Sequence, residues 1–371
     1  MKTQNSPRLL ALDVLRGITI AGMIMVNNPG SWGSIYAPLK HAEWNGLSPT
    51  DLVFPFFMFI MGISTYISLR KYKFEWSKSA VWKILKRTVV IFAIGLGIAW
   101  FSLFMRTGDA MPFDRIRILG VMQRLALSYG ATALIALCVK HKHIPYLIIS
   151  LLAGYFLILL FGNGFAYNET NVLGIVDRAV LGVNHIYKDH GIDPEGLLST
   201  IPAIAHVLLG FCVGRLLMEE KDITLKIQQL FLMGTILTFS GLLLNYGCPI
   251  NKKIWSPTFV LTTCGLASSF LALLVYIIDV KGKKSWSRFF ETFGINPLFM
   301  YVLGAVFSIL LGNIKVIWAG EPISLHDFAY KVVLQPIFDN NLGSLIFALL
   351  FVSLVWACGY VLYKKKIYVK I

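Results

Sequence analysis

The sequence predicts an all-α, polytopic membrane bundle of about ten transmembrane helices with both termini cytoplasmic, and three observations predict it. Of its 371 residues, 56% are hydrophobic and only 14% are charged, against about 25% charged residues in soluble domains. A core that apolar leaves too little polar surface to face water. Apolar runs of about 20 residues, enough to cross a hydrocarbon core of ~30 Å at ~1.5 Å per residue, recur along the whole chain. The basic residues crowd alternate loops, which is the positive-inside pattern.

The predicted spans are 9–28, 52–69, 88–105, 119–139, 145–162, 201–218, 230–246, 257–278, 293–313 and 342–363. The first run lacks a basic leader and a small-residue cleavage site, so it is expected to be a helix and not a cleaved signal. One side of the membrane collects Arg70, Lys71, Lys73, Lys78, Lys83, Lys86 and Arg87, then Lys140 and Lys142, Lys221 and Lys226, Lys281, Lys283, Lys284 and Arg288, and Lys364, Lys365 and Lys366. The other side holds most of the acids. A net charge of +15 distributed this way points to a lipid bilayer and not to nucleic acid. A single domain over residues 1–371 is expected, with no soluble nucleotide-binding unit. Three outer segments are long enough for structure of their own: 29–50, 163–200 and 314–341, the last with enough apolar residues for an interfacial or re-entrant helix. The five cysteines form no CxxC pair and are expected to be packing residues. No metal-ligand cluster is present in the sequence.

Polar groups at apolar depth or in a loop joining two spans are where chemistry is expected, and the first hairpin is densest in them. His41 lies between two spans, and imidazole can serve as base, acid or nucleophile near neutrality; the plain alternative is a loop histidine bonded to backbone. Asn27 ends the first span, either as a helix C-cap or as a group that orients His41 or donates to an oxyanion. Asp51 is either the third residue of a capping box with Ser48 or a partner for a cationic amine. Trp44 is an interfacial aromatic or a platform for a sugar ring, and Asn45-Gly46 reads as a turn. Arg16 and Arg124 sit within apolar runs, where a guanidinium needs a partner or a polar cavity; Asp13, one turn from Arg16, is a ready partner. His206 reads as a satisfied core histidine. Asn296-Pro297 starts a helix at the basic side, close to Lys283, Lys284 and Arg288. That arrangement suits a phosphate, or is an ordinary capped helix among juxtamembrane positives.

These residues carry a resemblance. Leu12-Asp13, Arg16-Gly17, Val26-Asn27, the segment His41-Ala42-Glu43-Trp44-Asn45-Gly46-Leu47, Asp51-Leu52-Val53-Phe54-Pro55 and Phe59-Ile60-Met61-Gly62 together resemble the heparan-α-glucosaminide N-acetyltransferase family and its bacterial relatives. The stretch 120–125, the segment 193–203, Trp255-Ser256-Pro257-Thr258-Phe259 and 294–298 extend the likeness over most of the chain. The resemblance implies transfer of acetyl from cytosolic acetyl-CoA, as co-substrate, to an amino sugar across a bacterial inner membrane. It places the active histidine on His41 and its supporting asparagine on Asn27. From their own chemistry, Asp51, Trp44, Asn45 and Glu43 are expected at the acceptor, and Arg16, Arg124, Asn296, Lys283, Lys284 and Arg288 toward the CoA. A homodimer is compatible with the resemblance. The spacing from Asn27 to His41 differs slightly from the lysosomal enzyme. The chain also starts at the span holding Asp13, without that enzyme's leading lumenal domain, so the expected acceptor is an amino sugar and not heparan in particular. Base catalysis and an acyl-imidazole both remain open for His41. The alternative is a sugar permease without acyl transfer.

Overall fold

The computed structural model describes residues 9–187 and 189–369, and their regular structure is helical apart from one two-stranded hairpin. The membrane helices are α1 (Leu10–Val26), α2 (Val53–Arg70), α3 (Lys78–Thr107), α4 (Val121–Cys138) and α5 (Ile144–Phe161). A short outer helix, α6 (Val172–Leu181), precedes α7 (Thr200–Glu219), α8 (Ile223–Leu244) and α9 (Pro257–Val275). Then come α10 (Ser287–Ile295), α11 (Pro297–Asn313), the helical turn α12 (Leu325–Asp327) and α13 (Asn340–Lys364). Among the described residues, eight helices are long and apolar enough to cross a membrane, and nine if the bent pair α10–α11 counts as one span. The tenth expected span is α1, whose 17 residues make about 26 Å of helix at ~1.5 Å per residue.

Burial sorts the helices into a centre and a periphery. Twelve of the 17 residues of α1 are buried, whereas only four of the 30 in α3 are. The sequence of α1 is apolar all round, as a central helix must be, while α3 turns most of its apolar surface outward, where lipid removes the cost. α1 packs against α10, α2, α11, α13 and α9, and the core continues through α7 on the far side of α2.

One expectation is corrected. The run 293–313 is not one helix: it breaks at Asn296, and α10 meets α11 at 88°. Pro297 has no N–H to give to a continuing helix, and Asn296 sits at φ −123°, ψ 55°, outside helical geometry. The segment 314–341 opens with a hairpin, β1 (Lys315–Trp318) paired antiparallel with β2 (Glu321–Ser324), before the helical stretch that runs on through Leu334.

The basic turns gather at one end of the bundle. Tyr66 of α2 donates to Glu219 at 3.0 Å, and Arg16 of α1 donates to Ser64 at 2.8 Å. Asn296 holds the segment after α13 by donating to Ile367 O and accepting from Val369 N, both at 2.9 Å. The acid-bearing loops gather at the opposite end, and their register depends on how α2 meets α7. A Cβ on Gly62 would lie 2.1 Å from Val207 O, and one on Gly210 would lie 2.1 Å from Phe59 O. Backbone therefore touches backbone, and His206 Nε2 adds a hydrogen bond to Pro55 O at 2.9 Å. His206 is thus the buried, bonded core histidine that its apolar setting suggested.

Gly62→Ala should cost about 1–3 kcal/mol, the usual penalty of forcing atoms into a filled core, seen as a lowered Tm in detergent. Gly97→Ala on α3, with nothing within 4 Å of its added Cβ, should leave the Tm unchanged. Equal effects would contradict the α2–α7 contact.

Candidate active site

Asp51 organises the site. Ser48 precedes the turn Pro49–Leu52, and Ser48 and Asp51 form a reciprocal capping box. The Asp51 side chain is fully buried. Its Oδ2 accepts from Ala42 N at 3.0 Å, Ser48 N at 3.1 Å and Ser48 Oγ at 2.9 Å. Its Oδ1 accepts from His41 Nδ1 at 2.6 Å and lies 3.3 Å from Lys252 Nζ. A buried carboxylate with this many donors stays ionised and fixed. The Nδ1 proton of His41 is committed to Asp51, so Nε2 keeps its lone pair and has no partner among the described residues. Lys252 Nζ also lies 3.0 Å from His41 Nδ1. Burial holds the Lys252 ammonium below the ordinary lysine range, with Asp51 and then Glu195 pulling the other way.

The His41 loop is clamped by the 250–256 turn. Gly46 N donates to Ile250 O at 2.8 Å, and Asn251 Nδ2 donates to Asn45 Oδ1 at 3.1 Å. Ser256 Oγ accepts from Asn251 N and from Phe259 N, closing the turn onto the start of α9. Trp255 sits at φ +52°, a left-handed conformation that a bulky residue keeps only where packing holds it. It is buried against Phe54 and Phe259, with the Arg124 guanidinium 5.1 Å from its ring. Trp44 stacks on Tyr167 at 4.4 Å and donates to Phe165 O at 3.1 Å. Tyr167 in turn donates to Asp189 at 2.7 Å, which Lys253 also reaches at 2.7 Å.

Together these elements enclose a chamber of about 410 Å³, with His41, Asp51, Lys252, Asp189, Glu195 and Arg117 among its walls. Arg117 grips Asp193 through Nε at 3.1 Å and Nη2 at 2.5 Å, and its Nη2 reaches Glu195 at 2.5 Å. The two acids outweigh burial and push the guanidinium further toward its charged form. The loop carrying these acids is tied down by buried Asp177 of α6, which accepts from Leu197 N at 2.8 Å. A second chamber of about 360 Å³, lined by Gly95, Ala99, Gly304 and Ala305 among others, lies between α1, α3, α4 and α11. Met23, Asn27, Arg117, Val121 and Tyr301 line both chambers, so the two meet there.

The expected site residues separate into three groups. His41 and Asp51 are in contact, and Asn27 lines the same chamber as the C-cap of α1, with no hydrogen bond to His41. Trp44 and Asn45 hold the loop, and Glu43 is exposed beside it. The third group lies apart from both chambers. Arg16 bonds Asp13, Gly294 O and Ser64. Arg124, fully buried, donates to Gly196 O at 3.2 Å and to Ser199 Oγ. Asn296 holds the C-terminal segment, and Lys283, Lys284 and Arg288 are exposed at the basic end. Sequence reading passed over Lys252, Arg117 and Glu195. Their signal was a basic pair, Lys252-Lys253, and an Arg115-Ile116-Arg117 cluster on the side otherwise poor in Lys and Arg.

The family model described as heparan-alpha-glucosaminide N-acetyltransferase, catalytic, matches residues 8–246, more than half the chain. Heparan-alpha-glucosaminide N-acetyltransferase of Homo sapiens is 29% identical over 98% of this chain and 60% of its own length. The Mus musculus protein of the same name is 28% identical over all of this chain and 61% of its own. The chain therefore spans about three fifths of the length of the curated relatives it matches.

Burial raises Asp177 from the ordinary carboxylate range to about 6, assisted by Asp193 and opposed by the Leu197 N–H. The folded protein thus holds that proton more tightly than the unfolded chain. Stability is gained as pH falls from 7 through 6 and the gain is complete near pH 4. A shift of that size is worth ~3 kcal/mol. Asp177→Asn should flatten this part of the Tm profile relative to wild type; parallel profiles between pH 4 and 7 would contradict the buried, charged carboxylate.

Proposed function

The chain belongs to the heparan-alpha-glucosaminide N-acetyltransferase catalytic family, and from that premise we propose that it transfers acetyl from acetyl-CoA to the amine of an amino sugar, with His41 as general base. The observation that carries this reading is the His41–Asp51 pair in the wall of the 410 Å³ chamber, with Nε2 left unbonded. Asp51 fixes the tautomer and stabilises the imidazolium that forms when Nε2 takes a proton. The donor supplies an activated acyl group as its thioester. The amine nitrogen forms a bond to the carbonyl carbon, and the carbon–sulfur bond breaks. His41 Nε2 receives the amine proton and passes it to the leaving thiolate, which restores the neutral ring. The Asn27 carboxamide, at the junction of the chambers, donates to the carbonyl oxygen as charge develops there.

The apolar second chamber, kept open by small residues on α3 and α11, takes the pantetheine arm. The basic end faces the cytoplasm of a bacterial inner membrane, where Lys283, Lys284 and Arg288 supply countercharge to the CoA phosphates. The His41 end faces outward, so the polyanionic donor itself never crosses the lipid.

Purified protein should acetylate glucosamine from acetyl-CoA; a permease would not. His41→Ala should lower turnover by at least about 10²–10⁴-fold with the donor KM retained, and Asp51→Asn should fall in the same range. Near-normal turnover in His41→Ala would remove the assignment. Radiolabelled acetyl-CoA without acceptor should leave no label on His41; retained label would indicate an acyl-imidazole instead of direct transfer. Cysteines in place of Gly33 and Glu75 should react with impermeant reagent from opposite faces of the membrane. Reaction from one face would end the cross-membrane scheme.

A further inference from the structure

Four carboxylates, Asp51, Asp189, Asp193 and Glu195, stand in or behind the wall of the His41 chamber with the cations Lys252, Lys253 and Arg117. Three of the four have both oxygens engaged. Asp51 uses both oxygens on His41, Lys252, Ala42 and Ser48. Asp189 uses one on Tyr167 and the other on Lys253. Asp193 is buried and takes Arg117, Tyr187 N and Glu195 N. Glu195 differs: Oε2 is held by Arg117 at 2.5 Å, while Oε1 accepts no hydrogen bond from a described residue. Glu195 is also a wall of the chamber that His41 lines, and Lys252 senses both its charge and that of Asp51.

We propose that Glu195 Oε1 receives the ammonium group of the amino-sugar acceptor, with Arg117 as the positioning residue that aims it. This rests on the acyl-transfer reading only for the choice of acceptor. A lone carboxylate oxygen in a chamber whose other charges are paired selects a cation over a neutral hydroxyl, because only the cation neutralises it. An amino sugar and its hydroxyl analogue differ at that one group. His41 Nε2, in the same chamber, then removes one ammonium proton before attack and releases it to solvent, which frees the ring to take the second proton and pass it to the leaving thiolate. Arg117 fixes the Glu195 carboxylate from the side away from the free oxygen, so the side chain cannot fold back onto Lys252 and cancel its charge. Asp51, expected from the sequence to meet the amine, is occupied with His41, and Glu195 takes that role.

The test measures binding of glucosamine and of glucose to the purified full chain in detergent, without acetyl-CoA. Wild type should prefer glucosamine by about tenfold or more, the worth of a charge-assisted hydrogen bond. Glu195→Gln, which can still accept from Arg117, should reduce the ratio to near one while leaving glucose affinity unchanged. Arg117→Lys should lower the same ratio, again without changing glucose affinity. Should Glu195→Gln fail to fold, Glu195→Asp serves: its shorter arm should weaken glucosamine several-fold and glucose not at all. A wild type without preference, or a Glu195 variant with an unchanged ratio, overturns the proposal. No donor is present, so a failure of acetyl transfer appears only in the separate turnover assay and is distinguished from a failure here.

Discussion

A carboxylate buried at a helix start must have its charge answered on the spot, and the arrangement around Asp51 follows from that constraint. Leaving it unpaired in an apolar setting would cost several kcal/mol. The chain supplies backbone N–H groups at Ala42 and Ser48, the Ser48 hydroxyl, the His41 imidazole and the Lys252 ammonium. These donors come from three pieces of structure: the outer loop, the cap of α2 and the turn before α9. Satisfying one charge therefore docks three segments, and it leaves His41 with one nitrogen committed and the other available.

The same economy recurs at Arg117. A guanidinium near the start of α4 collects Asp193 and Glu195 from the loop before α7 and packs on Tyr187 at 4.9 Å. Asp177 holds that loop by Leu197 N. The outer end of the bundle is thus a polar lattice on an apolar frame. Its rigidity comes from ionic hydrogen bonds in the loops and from backbone contact between α2 and α7 beneath them. Loops so fixed can hold an imidazole and a carboxylate in the walls of one chamber, which free loops of this length could not.

The bend between α10 and α11 has a matching role at the other end. It lets α10 lie against the start of α1 while α11 rises beside the second chamber, and Asn296 spends its side chain on tying down the segment after α13. The side chain at this helix start is thus engaged in packing the C-terminal segment. Arg16 likewise takes its partners from the nearest carbonyl and hydroxyl, whereas Arg124 is bonded through Nη2 alone, its Nε and Nη1 being buried without a hydrogen-bond partner among the described residues.

The sequence by itself determined the membrane class, the positions of the spans, the grouping of basic turns and the capping box at Ser48–Asp51. Each of these depends on local composition or on residues within one helical turn, and such information is complete within a short window. His41 was legible as a candidate for the same reason: it is a titratable group in a motif-bearing loop between two spans. Only the tertiary structure decided that Asp51 faces His41, that Lys252 stands 211 positions away from His41 yet within 3.0 Å of it, and that Arg117 meets Glu195 across 78 positions. Contacts at such separations are set by which helix faces pack together, and the close approach of Gly62 and Gly210 that fixes them has no signature in either helix alone. The break at Asn296 lies between the two cases, since Asn-Pro was visible as a helix start but the 88° turn comes from what α10 and α11 each bury.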